Sequence, residues 1–185
     1  MIDRREATKV VVELAGDNPI VGSIGNPNTD LGAFDRPRNY YVSAMGMASS
    51  VGLGVAIARP NQRVIVLDGD GAIFMNLSSL ATEGTVGVRN LVHVIWDNSR
   101  LEITGGQPTP TARGADLAGI AKASGFANAV TVETLEDFRA AFARAMSGSD
   151  LWAIVARINP GNARREADLR LGFVQMRDRF VASFG

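Results

Sequence analysis

The stretch VIVLDGDGAIFMNLSSLATEGTVGVRNLVHVIWDNS, Val64 to Ser99, holds two apolar runs of strand length joined by a segment of helix length. The runs RVIVLDG (63–69) and LVHVIWD (91–97) are rich in Val and Ile and nearly continuous in hydrophobicity, as strands buried on both faces must be. Strands joined through one helix form a right-handed crossover and come to lie as neighbours or near-neighbours. Both runs end in oxygen-bearing side chains, Asp70 between two glycines and Asp97 followed by Asn98. The crossover therefore brings these groups to one rim, and a charged ligand is expected there.

The same alternation extends in both directions. Further strand candidates are PIVGSI (19–24), NAVTV (128–132) and LWAIVARI (151–158), and helical stretches are expected at 2–14, 46–59, 75–87, 115–124 and 135–146. Pro60 stops the second helix, and Thr134 followed by Glu136 and Asp137 reads as an N-cap with an acidic first turn. The expected architecture is α/β: a doubly wound, mostly parallel sheet with helices on both faces, which binds ligands beyond the carboxyl ends of its strands. A single domain over 1–185 is expected, with 159–185 as a C-terminal arm and helix that packs on the domain's edge or on a neighbour.

Composition narrows the function. Nineteen basic residues balance nineteen acidic ones, so no electrostatic footprint favours nucleic acid or a membrane surface. The chain has no cysteine, which excludes disulfides, thiolate zinc sites, iron–sulfur clusters and a cysteine nucleophile. The first residues carry charges rather than the apolar core of a signal peptide, and a cytoplasmic protein is expected.

Gly69 and Gly71 let the backbone turn tightly and approach a ligand, and the amides of Gly71 and Ala72 can point at an anion. One carboxylate plus an Asn amide oxygen suits Mg²⁺, which shares its oxygen ligands between protein, phosphate and water. A tight strand-to-helix turn with Asp70 as a cap remains the structural alternative for a lone G-D-G. Between Gly71 and Asp97 lie 25 residues, enough for one helix and one strand, as a bipartite site across one βα unit requires.

G-D-G, a spacer of this size and then Asp-Asn resembles the signature of the thiamine diphosphate enzymes. YVSAMGMASSVGLGVAIARP is similar to the pyrimidine-side helix of their diphosphate-binding (PP) domain, and DNSRLEITGGQPT to the metal loop of sulfopyruvate and phosphonopyruvate decarboxylases. The resemblance implies Asp70, Asn98 and the carbonyl of Arg100 as Mg²⁺ ligands, with Leu101 and Glu102 following in the same loop. Gly69, Gly71 and Ala72 would meet the diphosphate, and Gly25 and Asn26 its other end. Ser43 would offer its carbonyl to the pyrimidine amino group, with Ala44 beside it and Met45 as the apolar wedge beneath the cofactor. Three positions depart from the pattern: Ala72 stands where relatives have a hydroxyl, Met47 where they often have His, and Asp97 where they have the first Asn.

In this family the activating glutamate belongs to a separate pyrimidine-binding domain. The resemblance therefore implies one subunit of a split 2-oxo acid decarboxylase, like the β subunit of sulfopyruvate decarboxylase, with an α-type partner subunit. A carboligase subunit related to acetolactate synthase and a non-catalytic phosphate-binding interaction domain are the alternatives. Glu102 is either a cleft carboxylate or a solvated loop residue.

Other constellations read as structural. His93, the single histidine, sits inside an apolar strand and reads as a hydrogen-bonded core residue. Gly52 and Gly54 lie in a helix and lack the third glycine of a dinucleotide fingerprint, so they read as close-packing positions. Arg36, Arg38 and Arg113 read as exposed loop arginines rather than an anchor for an anionic substrate.

Overall fold

The structure, a computed structural model, describes residues 1–163 and 171–185. Most of the polar arm expected between Gly161 and Gly172 lies outside the described residues.

In chain order the elements are α1 (Arg4–Ala15), β1 (Ile20–Gly22), α2 (Asn26–Gly32), β2 (Asn39–Tyr41), α3 (Ala48–Ala58), β3 (Val64–Gly69), α4 (Asp70–Met75), α5 (Ser78–Val86), β4 (Leu91–Asp97), β5 (Arg100–Leu101), β6 (Gln107–Pro108), α6 (Leu117–Ala123), β7 (Asn128–Val132), α7 (Leu135–Ser147), β8 (Trp152–Arg157) and α8 (Phe173–Ala182). Short 3₁₀ turns at Glu102–Thr104 and Pro110–Arg113 flank β6. The caps obey the sequence: Asp3 accepts from the amide of Glu6 at 3.0 Å and Thr134 from that of Asp137 at 3.1 Å.

Six strands form one parallel sheet in the order β2-β1-β3-β4-β8-β7, and β5 with β6 makes a separate antiparallel hairpin. From β1 the chain goes outward to β2, then crosses back to β3, so the winding direction reverses between β1 and β3. Such a reversal opens a crevice at the strands' carboxyl ends. β3 and β4 are hydrogen-bonded neighbours, as the crossover argument required.

One face of the sheet is covered by α1 and α7, where Phe138 packs on Trp96 at 5.3 Å and stacks on Phe142 at 5.9 Å. The other lies under α3, α5 and α6, and Gly52 of α3 lets that helix sit directly on Val66. Among the described residues no helix is long and apolar enough to cross a membrane.

Two local expectations are corrected and one is met. The helix expected from Met75 begins at Asp70 itself, breaks around Asn76 and resumes as α5. Residues 26–41 contribute α2 and the edge strand β2, neither of which the apolar pattern announces, because both are too short for a period to show. The tail does pack on the domain's edge: Phe180 of α8 meets Tyr40 of β2 at 5.3 Å, and the amide of Tyr41 points at the sulfur of Met176 at 3.3 Å.

Candidate functional site

At the end of β3 the backbone leaves the sheet through Gly69, and Asp70 opens α4 while buried to 2% exposure. Gly71 presents bare backbone: a Cβ there would lie 2.3 Å from Cδ2 of Leu101. β4 ends beside this point in Asp97 and Asn98, and Ser99 follows with φ +60°, a left-handed conformation that a non-glycine residue adopts at some cost. The turn is fixed by its own side chains. Asn98 Oδ1 accepts from the amide of Arg100 at 3.1 Å, and Asp97 Oδ1 from that of Ser99 at 2.9 Å. The hairpin of β5 and β6 then carries the chain back past Asp70.

These segments enclose a cavity of about 910 Å³ at the crevice between β1 and β3. Gly69, Asp70, Gly71 and Ala72 line it from the β3 side, and Asn98, Arg100, Leu101 and Glu102 from the β4 side. Gly25, Asn26, Ser43 and Met45 form the opposite wall, with Trp96 within. Of the residues that the resemblance assigns to cofactor and metal, only Ala44 is absent from this lining, being exposed beside it. Gly25 has φ +96°, open to glycine, and brings the chain close to Ile103. Asn26 faces the cavity with its amide already engaged: Oδ1 accepts from the amide of Ala163 at 3.0 Å, and Nδ2 lies 3.4 Å from Asn162 Oδ1. Glu102 is half-buried in the cavity wall, and its Oε2 accepts from Asn98 Nδ2 at 3.1 Å, which orients the Asn98 oxygen.

Burial raises the Asp70 carboxyl to about 6; the Thr109 hydroxyl pulls it down and the charge of Asp97 pushes it up again. Sequence reasoning missed the residues that surround this carboxylate. Thr109 Oγ1 donates to Asp70 Oδ2 at 2.6 Å, Thr111 Oγ1 lies 2.8 Å from Asp97 Oδ1, and Arg157 donates to Asp97 Oδ2 at 2.6 Å. The QPTPT run carried a signal, two hydroxyls two residues apart, which the structure places at the start of the 3₁₀ turn Pro110–Arg113. Nothing local, however, tells which carboxylates such a turn meets.

The other candidates sit elsewhere. His93 is buried in the core, as read. Arg36 bonds the carbonyls of Gly16 and Asn18, and Arg38 those of Asp17 and Ser183, so both clamp loops away from the cavity. Met47 is exposed outside the lining, and Met45 lies inside it.

The donor set fits Mg²⁺: one carboxylate, one amide oxygen and one backbone carbonyl, all hard oxygens on one rim. Among the described residues no group of three His, Cys, Asp or Glu side chains stands ready to hold a metal. A cation here would need oxygens from a second ligand, and a diphosphate against bare glycine backbone would provide them.

A parallel sheet with its cleft at this switch point, faced by glycine backbone and oxygen donors, is the architecture of a cofactor-binding α/β domain. The sequence matches the family described as thiamine pyrophosphate enzyme, C-terminal TPP binding domain, over residues 22–156, and the chain belongs to that family. It is 41% identical over 164 residues to the sulfopyruvate decarboxylase subunit beta of Methanocaldococcus jannaschii, covering 87% of this chain and 86% of that one. To the phosphonopyruvate decarboxylase of Streptomyces viridochromogenes it is 37% identical over 156 residues, 83% of this chain but 39% of that longer one. Among solved structures, the thiamine diphosphate-dependent 4-hydroxybenzoylformate decarboxylase of Rhodococcus jostii RHA1 superposes with a TM-score of 0.72 at 22% identity, over 88% of this chain and 33% of that one.

Proposed function

We propose that the chain is the diphosphate- and magnesium-binding subunit of a thiamine diphosphate-dependent decarboxylase for a short anionic 2-oxo acid of the sulfopyruvate or phosphonopyruvate type. A pyrimidine-binding partner subunit completes the site. One observation carries the reading: the Asp70 carboxylate, the Asn98 amide oxygen and the glycine backbone of β3–α4 share one cavity in a chain 41% identical to a sulfopyruvate decarboxylase β subunit.

In this reading Asp70, Asn98 and the carbonyl of Arg100 hold the cation, and Gly71 and Ala72 offer amides to the diphosphate. Bound thiamine diphosphate supplies the electron sink for carbon–carboxylate cleavage. The chain supplies position and dryness. Met45 and Leu101 form apolar walls beside the diphosphate cradle, and a site that excludes water favours loss of the substrate's carboxylate charge. Glu102, held by Asn98, keeps the metal turn in register.

The test is a titration of thiamine diphosphate into the full chain with and without Mg²⁺, followed by tryptophan fluorescence, since Trp96 lies in the cavity wall. Metal-dependent binding that disappears in Asp70→Ala supports the reading, and metal-independent or absent binding counts against it. With the partner present, a screen of 2-oxo acids separates the outcomes: an aldehyde marks a decarboxylase, and a condensation product a carboligase of the acetolactate synthase type.

A further inference from the structure

We infer that Thr109 is a positioning residue of the cation site: its hydroxyl fixes the Asp70 carboxylate while its backbone amide fixes the turn that bears the other two oxygen donors. The inference rests on the cofactor reading above and concerns residues outside the metal ligands themselves.

The assignment follows from counting protons. Thr109, Thr111 and Ser99 each bring one hydroxyl proton to a buried network containing two carboxylates, Asp70 and Asp97. Thr111 has one proton and two carboxylates within reach, at 2.8 Å to Asp97 and 3.3 Å to Asp70. Only the shorter falls in the range of a good O–H···O bond, so that proton belongs to Asp97. Ser99 lies 3.1 Å from Thr111 Oγ1 and 3.2 Å from Asp97 Oδ1, and no contact joins it to Asp70. Thr109 has two acceptors within reach, Thr111 Oγ1 at 2.9 Å and Asp70 Oδ2 at 2.6 Å, and the shorter separation, to the carboxylate, is that of a charge-assisted bond, so its proton belongs to Asp70. The threonine is 4% exposed, so no water replaces this donor when it is lost.

The backbone of the same residue reaches the other half of the site. The amide of Thr109 donates to the carbonyl of Ser99 at 3.1 Å, in the strained turn between Asn98 and Arg100. A single residue therefore holds the carboxylate from one side and the amide-and-carbonyl pair from the other.

Charge is arranged to the same end. Asp97 and Arg157 are register partners on β4 and β8, and their ion pair balances the Asp97 charge. Of the two carboxylates in the network, Asp70 alone keeps a charge not matched by a side-chain ion pair, and it faces the cavity.

The experiment measures the Mg²⁺ concentration for half-saturation of thiamine diphosphate binding in the full chain, for wild type, Thr109→Val and Thr109→Ser. Thr109→Val keeps the shape and the amide but removes the hydroxyl, and is expected to raise the half-saturating Mg²⁺ about 10- to 100-fold, the usual effect of losing a residue that orients a metal ligand. Thr109→Ser restores the hydroxyl and is expected to restore the affinity. A merely structural role predicts the opposite ranking, because Val matches the packing volume and Ser does not. Wild-type Mg²⁺ dependence in Thr109→Val, or equal loss in Thr109→Ser, overturns the inference. If Thr109→Val does not fold, judged by circular dichroism, Thr109→Ala decides by the same criterion. A wild-type chain without any Mg²⁺-dependent signal overturns the cofactor reading and this inference together, whereas a wild-type response shared by Thr109→Val overturns the inference alone.

Discussion

Fully buried in the middle of β4, His93 sits between two carboxylates: Glu83 Oε2 of α5 lies 3.0 Å from Nδ1, and Asp68 Oδ2 of β3 lies 3.8 Å from Nε2. Burial pulls the imidazole toward neutrality, but the charge of Glu83, with Asp68 adding to it, outweighs this and raises its pKa to about 10. Between the unfolded value near 6.5 and the folded value the native state holds a proton that the unfolded chain does not, so unfolding free energy falls as pH rises. The stabilisation is complete below about pH 6.5 and is lost on passing through about pH 10. Urea denaturation across that window is expected to show a declining stability in wild type and a flatter profile in His93→Gln; equal slopes would refute the buried imidazolium. At this scale the sequence disclosed much. Asp70 and Asn98 were legible because each ends an apolar run, so strand position alone sets where they point. Thr109 and Thr111 were not, because their acceptors lie 39 and 14 residues away across a hairpin return.

Elements were legible in proportion to their length. The long buried strands β3, β4 and β8 and the capped helix α7 follow directly from hydrophobic runs and a Thr cap. The three-residue strand β1 lies within the expected run PIVGSI, whereas β2, equally short, owes its pairing to its neighbour rather than to any pattern of its own. The start of α4 at Asp70 was hidden by the glycines around it, which read as a turn whether or not a helix follows. Gly84 shows how an apparent helix weakness is a packing requirement. Gly in mid-helix costs about 1 kcal/mol relative to Ala, so Gly84→Ala in isolation would stabilise α5. In the fold, a Cβ at Gly84 would stand 1.7 Å from the carbonyl oxygen of Ser124, backbone that ends α6 and cannot rotate away. Overpacking of this kind costs about 1–3 kcal/mol. Gly84→Ala is therefore expected to lower the melting temperature by several degrees, and a rise would show that α5 and α6 are free to move apart.

At the scale of the whole molecule, the tail and the cleft mouth solve different problems. A parallel sheet ends in strands with unpaired edges, and α8 covers the β2 edge, anchored by Arg179 on Asp35 at 2.6 Å and by Phe184 between Arg38 and Arg59. Among the described residues the rim of the cleft carries exposed apolar side chains. Ile24, Met45 and Ile103 line it, with Ile103 close to Gly25, and Met75 sits next to Met45's neighbour Gly46, whose carbonyl accepts from Asn76. Met75 is 65% and Ile103 61% exposed, and apolar side chains clustered at a binding cleft mark an interaction surface. The Streptomyces relative, of which this chain matches 39%, has further sequence in the same polypeptide, whereas the Methanocaldococcus relative is named as a subunit. The proposed partner would sit on this rim, closing the cleft against water. The purified chain is accordingly expected to bind thiamine diphosphate with Mg²⁺ yet not turn over 2-oxo acids, and titration with the partner subunit should bring activity in. A charge at the rim should weaken that assembly and little else. Met75→Glu is expected to raise the partner concentration for half-maximal activity by roughly tenfold or more, the penalty of burying a charge at an apolar contact, and to leave the melting temperature of the free chain nearly unchanged because the position is exposed. Full turnover by the chain alone would refute the need for a partner, and an unchanged partner titration in Met75→Glu would place the partner on another face.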